Sequence, residues 1–339
     1  MRNIASNVLT ILIVVGLVFV GALGLAKQEI VSPGPLTEEV TVQVPRGASP
    51  RDISELLAEA GALPERGVLG IVDGATLFRL ATRYAGKSQS LKFGEYALAP
   101  GASVEELVTL LSTGANVQHT VTIPEGMTSA MAVDVLNGAE LLTGEVSELP
   151  AEGSLFPDTW SFQRGTPRQA LVEQMQSKMR QVLDTAWENR VPGLPLQSKD
   201  ELLILASIVE KETTPAEHGK VASVFINRLR LGMRLQTDPT VIYGITEGKA
   251  PLGRGLRRSE LRAATPYNTY VIAGLPPTPI ANPSQASIEA VANPDETPYL
   301  YFVADGTGGH AFARTLDEHN RNVAVWRRIE RQRQQEQQQ

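Results

Sequence analysis

The hydrophobic pattern is most uneven at the start of the chain. Val8 to Ala26 reads VLTILIVVGLVFVGALGLA, and no side chain from Asn3 to Ala26 is charged. At a rise of about 1.5 Å per residue this stretch comes close to the ~30 Å hydrocarbon core of a bilayer. Gly16, Gly21 and Gly24 would weaken a soluble helix but are common in membrane helices. A cleaved signal peptide would have an apolar region of roughly 7–15 residues and a small-x-small site. Gly24-Leu25-Ala26 has that form, but the uninterrupted run is longer, so the pattern favours an uncleaved anchor. Arg2 before the run, with Lys27 and Glu29 after it, tilts the orientation towards an N-terminus inside and the rest of the chain outside. Residues 27–40, with Pro33 and Pro35, read as a short tether.

Beyond residue 40 the pattern alternates between periods of two and 3.6. Thr41-Val42-Gln43-Val44 is strand-like and stops at Pro45 and Gly47; the amphipathic run Ile53 to Leu63 follows. Thr120-Val121-Thr122-Ile123-Pro124-Glu125-Gly126 repeats the device before a helical stretch from Met131. Tyr96 to Gly101 is a looser copy, followed by VEELVTLL with Ser103 and Glu106 at capping-box spacing. Residues 41–117 therefore read as a small α+β unit with two strands bracketing helices. That order resembles the LysM type of glycan-binding module, and a plain spacer fits the pattern equally well.

The second half is richer in helix. Gln169 to Ala186 is amphipathic. Ser198 and Glu201 have capping-box spacing and open the run Leu202 to Val209, apolar on all sides and so expected to be buried. Thr214, Pro215 and Glu217 are placed as N-cap, first turn and third helical position of a further helix that Gly232 ends. From Gln236 to Pro283 the prolines and polar residues predict loop. Tyr299 to Val303 reads as a strand, Asp305 to Gly309 as a turn, and the basic, Gln-rich end from Arg321 as a fraying helix, with 331–339 a disordered tail.

Composition narrows the chemistry. Of 339 residues, 37 are acidic and 31 basic, a net charge of -6, which argues against a general nucleic-acid binder. The absence of cysteine excludes disulfides, thiol nucleophiles and a lipid-modified cysteine anchor. The histidines His119, His218, His310 and His319 show no zinc-ligand spacing, and Gly-x-Ser-x-Gly and phosphate-loop motifs do not occur. No cofactor or metal is expected.

The informative residue is Glu210. It ends an apolar helix, where poor solvation and the negative helix terminus both disfavour the charged form. An acid that keeps its proton near neutrality suits general-acid cleavage of a glycosidic bond. On spacing alone, Glu210 could equally mark where a core helix meets water. Glu212 faces elsewhere on the helix, and Glu217 is as easily a capping residue. Downstream, Gln236, Asp238, Tyr243, Tyr267, Asn268 and Tyr270 lie in a proline-stiffened segment. Amides, carboxylates and tyrosines suit sugar hydroxyls and ring faces, although turns use the same residues.

The stretches Leu205-Ala206-Ser207-Ile208-Val209-Glu210-Lys211-Glu212-Thr213, Val221 to Leu229 and Met233 to Gly244 closely resemble the endolytic murein transglycosylase (MltG, or YceG-like) family. So do Glu152 to Thr159, Tyr267-Asn268-Thr269-Tyr270, Gly274 to Pro277, Ile280 to Pro283 and Tyr299 to Ala304. The likeness runs in order from about residue 41 to 325. Trp160 departs from it, standing where a tyrosine is expected.

The resemblance implies an α+β architecture: cytoplasmic stub and transmembrane helix (1–26), tether (27–40), LysM-like α+β subdomain (41–117) and helix-rich α+β catalytic domain (118–330). It implies an inner-membrane lytic transglycosylase, its catalytic domain extracytoplasmic, that cuts nascent peptidoglycan glycan strands beside the synthases that make them. It assigns catalysis to Glu210. Gln236, Asp238, Tyr243 and Asn268 are the expected substrate-binding residues. A hydrolase using water, with Asp238 or Glu217 as base, and a non-catalytic wall scaffold are the alternatives.

Overall fold

The computed structural model describes residues 2–66 and 70–336. The chain opens with α1 (Arg2–Val31), whose stretch Leu9–Val31 is long and apolar enough to cross a membrane, with none of its most apolar 18 residues buried. The remainder is a helix-rich α+β arrangement. Two compact units are resolved, residues 1–119 and 120–339.

In the first unit, β1 (Val40–Val44) pairs antiparallel with β2 (Gly94–Leu98), Val42 facing Tyr96. Between them lie α2 (Pro50–Glu59) and α3 (Gly74–Tyr84), and α4 (Val104–Thr113) follows. The capping box at Ser103 and Glu106 forms as its spacing predicts, and Ser49 with Asp52 makes a second one on α2. Ile53, Leu57, Leu77, Phe78, Tyr96 and Leu107 fill the core.

The expected tether is corrected. Lys27 to Val31 continue α1, Ile30 and Leu36 pack on this core, Gly34 N donates to Gly101 O at 3.0 Å, and Gly101 N donates to Leu36 O at 2.8 Å. A Cβ on Gly34 would lie 2.2 Å from Ala102 O, so only glycine allows this approach. Docking of this kind is tertiary and leaves no periodic signal.

The second unit begins with β3 (His119–Thr122), which pairs with β4 (Thr159–Phe162), and continues through α5 (Ser129–Gly138) and α6 (Arg168–Glu188). Next come α7 (Lys199–Glu212), α8 (His218–Arg230), α9 (Asp238–Thr246) and α10 (Gln285–Ala292). The hairpin of β5 (Tyr301–Ala304) and β6 (His310–Ala313) turns at the predicted place, and α11 (Leu316–Glu336) packs on it. The expected disordered tail is thus helical as far as Glu336; residues 337–339 lie outside the described residues.

Three local expectations change. Ser198 caps α7 by accepting from Glu201 N, but the Glu201 carboxylate accepts from Gln197 N instead of closing the box. Thr214 makes no side-chain cap; a 3-10 turn (Pro215–Glu217) leads into α8, and Glu217 is drawn to His310. Within the segment expected to be loop, α9 forms with Pro239 in its first turn, where proline breaks no helical hydrogen bond.

α7 is the axis of the second unit, packed against α6, α8, α9 and α10. Leu202, Leu205, Ala206, Ile208 and Val209 are fully buried. At about 1.5–3 kcal/mol for each large apolar side chain, this burial fixes the helix and so the position of its last turn.

Candidate active site

Glu210 lies in that last turn, half-buried at the surface of the core. Its Oε2 accepts from Ser284 N at 3.0 Å, from Ser284 Oγ at 2.6 Å and from Ser287 Oγ at 2.5 Å. Oε1 receives none of these bonds. Ser284 is the N-cap of α10, its Oγ also accepting from Ser287 N, so a single helix start presents all three donors.

The irregular stretch 278–284 runs beside α7. Ile280 N donates to Ser207 Oγ at 3.0 Å, one turn before Glu210. Asn282, fully buried, gathers the surroundings: Oδ1 accepts from Leu155 N at 2.9 Å, Nδ2 donates to Met127 O at 2.9 Å, and its carbonyl accepts from Gly126 N at 3.0 Å. The turn at Gly126 (φ +70°) therefore lies against Glu210; a Cβ there would be 3.4 Å from Glu210 Cγ. Lys211 donates to Gly126 O at 3.1 Å, which turns its ammonium to the backbone.

The expectation that a helix end disfavours charge on Glu210 counted only α7. The N-terminus of α10 meets the same carboxyl with three donors. Oε2 is anchored as an acceptor, which leaves Oε1 as the oxygen able to carry a proton.

Two further carboxyl groups stand nearby in the fold. Glu212 accepts from Thr237 Oγ1 at 2.6 Å, and burial, helped by Asp238, pushes its carboxyl above the ordinary range despite that bond. Burial likewise raises Glu152, against hydrogen bonds from Ser129 and Tyr243. Burial and the neighbouring Glu152 hold the Tyr243 hydroxyl upward, and its ring lies 5.0 Å from that of Tyr267. Glu217 differs: burial pulls it up, but bonds from His310, including Nδ1 at 2.7 Å, outweigh this and hold it low. A carboxylate committed to that imidazole is poorly placed to serve as a water-activating base.

The sequence-predicted binding residues fall in three places. Tyr243 joins Glu152 and Tyr267. Asp238 is exposed and accepts from Tyr270 OH at 2.7 Å, beside Glu212. Gln236 is exposed, with a left-handed backbone (φ +50°) and a side chain that bonds to nothing described. Asn268 is a correction. It is fully buried, Nδ2 donating to Glu260 O and Ala263 O and Oδ1 accepting from Tyr270 N, so its amide braces the loop and has nothing left for a sugar. Ser284, Ser287 and His218 were not singled out by the sequence reading, and Glu152 and Asn282 entered it only within the stretches that resemble the family; the local signal for Ser284 and Ser287 was a serine pair at N-cap spacing after Asn282-Pro283.

An open groove of about 680 Å³ lies along the outer face of α10, lined by Gln181, Asn189, Gln285, Glu289 and Asn293, and Glu210 does not line it. Among the described residues no group of three or more His, Asp or Glu side chains is arranged to hold a metal ion.

Residues 42–325 match the family described as YceG-like. This chain belongs to the YceG-like family. It is 30% identical over 319 residues to the endolytic murein transglycosylase of Bacillus subtilis strain 168, covering 83% of each chain. It is 32% identical over 338 residues to the endolytic murein transglycosylase of Streptococcus pneumoniae strain D39, covering 84% of this chain and 58% of the pneumococcal one. Among solved structures, a yceG-like protein from Listeria monocytogenes superposes with a TM-score of 0.50 at 30% identity, over 84% of this chain and 99% of the other. The YceG-like match takes in both β1 and the β5–β6 hairpin, and so every residue of the site.

Proposed function

We propose that this chain is an endolytic lytic transglycosylase of peptidoglycan. It cleaves the bond between N-acetylmuramic acid and N-acetylglucosamine within nascent glycan strands, leaves 1,6-anhydro ends and so stops strand elongation. The observation that carries the reading is the Glu210 carboxyl, held through one oxygen by Ser284 and Ser287 with the other left unbonded. The two relatives named endolytic murein transglycosylase support it.

Glu210 is the general acid. With Oε2 anchored, the proton on Oε1 passes to the glycosidic oxygen as an oxocarbenium-like centre develops at C1 of the muramic acid. The 6-hydroxyl of the same sugar attacks C1, and Glu210, now a carboxylate, takes the hydroxyl proton. Acid and base are one residue used twice, and no water is consumed. Because the nucleophile is tethered to its target, effective molarity replaces the second carboxylate of an ordinary glycosidase. Tyr243, Gln236 and Asp238 contact the sugar.

α1 is the anchor, with the N-terminus cytoplasmic and the chain beyond α1 outside. The strand–helix–helix–strand order of β1, α2, α3 and β2 supports a LysM-like glycan-binding role for the region 41–117, ahead of the catalytic region 118–330. Peptidoglycan synthases are the expected neighbours of an enzyme held at the bilayer.

The test is incubation of the full-length, detergent-solubilised chain with uncrosslinked glycan strands, products being weighed by mass spectrometry. Anhydro ends from the native chain and none from Glu210→Gln are expected. Products heavier by one water would make it a hydrolase, and intact strands a scaffold. Anhydro ends from Glu210→Gln would remove Glu210 from the mechanism.

A further inference from the structure

The mechanism uses the Ser284 and Ser287 clamp but leaves one buried titratable group behind it unexplained. His218 opens α8 and is 2% exposed. Its Nε2 lies 3.2 Å from Thr213 O and its Nδ1 lies 3.2 Å from Ser287 Oγ. A carbonyl oxygen only accepts, so Nε2 carries a proton. In the neutral ring Nδ1 is then a bare acceptor in need of a donor, and the hydroxyl of Ser287 is the donor within reach.

That hydroxyl has one proton and two claimants, because Glu210 Oε2 lies 2.5 Å from the same oxygen. Ser284 Oγ, 3.3 Å from Ser287 Oγ, is committed to Glu210 Oε2 at 2.6 Å. With His218 neutral, donation from Ser287 to Nδ1 therefore leaves Glu210 Oε2 to the N–H and hydroxyl of Ser284 alone, and donation to Oε2 leaves Nδ1 without a donor. Two arrangements match the direction of the Ser287 hydroxyl to the charge on Glu210. In the first, Glu210 carries its proton on Oε1, Ser284 holds Oε2, and Ser287 turns to donate to Nδ1 of a neutral His218. In the second, Glu210 is ionised, Ser287 donates to Oε2, and an imidazolium donates from Nδ1 to Ser287 Oγ.

We propose that His218 is a positioning residue whose protonation equilibrium is coupled to that of Glu210 through the direction of the Ser287 hydroxyl. This rests on Glu210 being the general acid. Neutral His218 favours the protonated Glu210 from which the reaction starts. An imidazolium locks Ser287 onto the carboxylate and withholds the acid. His218 neither gains nor loses a proton during turnover: the proton given to the glycosidic oxygen comes from Glu210 Oε1 and is restored from the sugar 6-hydroxyl. As the carboxylate forms, Ser287 rotates its hydrogen from Nδ1 to Oε2, a movement of one hydroxyl rotor.

Other titratable groups surround the pair and bear on its pH response. On α7 these are Lys211, held by Gly126 O, and Glu212, held by Thr237. Glu217, before α8, is bound to His310. Asp295 lies against Gly219, Glu289 on α10 accepts from Gln285, and the turn before Met127 carries Glu125. None of them bonds to Ser287, so removal of that hydroxyl isolates the coupling.

The experiment is a pH titration of the histidine ring nitrogens by 15N NMR in the full-length chain, in native, Glu210→Gln and Ser287→Ala forms. The chain has four histidines, and the His218 signals are identified by their loss in His218→Gln. In Glu210→Gln the pH dependence of the His218 ring signals is expected to move to lower pH, since no carboxylate favours the imidazolium across Ser287. In Ser287→Ala the acid side of the pH profile for anhydro-end formation changes shape. Titrations of His218 that coincide in all three forms overturn the proposal, as does a Ser287→Ala profile that differs from the native one only in height. The NMR measurement reads the coupling whether or not the chain cuts glycan. Anhydro ends from Glu210→Gln alongside a shifted His218 would sink the functional reading and leave the coupling standing.

Discussion

The carbonyl of Met127 accepts two hydrogen bonds from Asn282, one from its backbone N–H and one from its side-chain Nδ2, each 2.9 Å long. These residues are 155 positions apart in the chain. The pair fastens the turn beneath Glu210 to the segment that delivers Ser284, so the geometry of the carboxyl clamp depends on an amide that never touches Glu210. Asn282→Ala leaves the buried Leu155 N–H without its acceptor and takes one of two bonds from Met127 O. A loss of about 2–4 kcal/mol in urea unfolding is expected, with slower formation of anhydro ends in the protein that remains folded.

Ser284 has two roles, helix cap and carboxyl clamp, and glycine separates them. Glycine is tolerated at an N-cap for a few tenths of a kcal/mol, whereas loss of a hydroxyl bond to an ionisable group removes about 1.5–3 kcal/mol. Ser284→Gly should lose only a few tenths of a kcal/mol through the cap and up to about 1.5–3 kcal/mol through the carboxyl bond, and form anhydro ends about tenfold or more slower. A loss of only a few tenths of a kcal/mol with a rate within about twofold of native would mean that capping is its only role.

Glu212 gives a pH signature. Burial raises its carboxyl in the folded chain above the ordinary value of 4.5. Between those two values the folded chain binds more protons than the unfolded one, so the contribution of Glu212 to stability is complete below about 4.5 and is lost as pH rises through the raised value. Glu212→Gln lacks this loss. Relative to the native chain its unfolding free energy should gain steadily as pH rises through that window, and urea unfolding at a series of pH values measures it. A constant difference across the series would contradict the assignment.

The docking of residues 30–36 predicts where the chain tolerates truncation. A fragment starting at residue 28 keeps Ile30, Leu36 and the two Gly101 hydrogen bonds; one starting at residue 41 loses all of them. The shorter fragment should melt at lower temperature, by an amount corresponding to about 2–5 kcal/mol, as read by circular dichroism.

What could be read from sequence was what a local rule governs. The unbroken apolar run from Leu202 to Val209 announced a buried helix, and its end singled out Glu210 before any neighbour was known. Ser103 with Glu106 announced a capping box because the device is complete within four residues. Three things were hidden for physical reasons. Pro239 read as a helix breaker because the first turn, where proline is harmless, is recognised only once the helix start is known. Asn268 read as a ligand because an amide that braces a loop and one that binds a sugar look alike until burial is known. Ser287 and His218 were silent because their meaning lies in contacts made across tens of residues, 77 in the case of Ser287 and Glu210.

Gln236 carries a consequence of its own. A left-handed backbone is unfavourable for any residue with a Cβ, by roughly 1 kcal/mol relative to glycine, and no side-chain bond here offsets it. Glycine at 236 would relax the chain. A more stable sequence thus lies one substitution away, and the native one keeps an amide projecting into solvent beside Thr237 and Asp238 instead. Tolerance for that strain marks the rim near Glu212 as a place where robustness has been given up for presentation of a side chain.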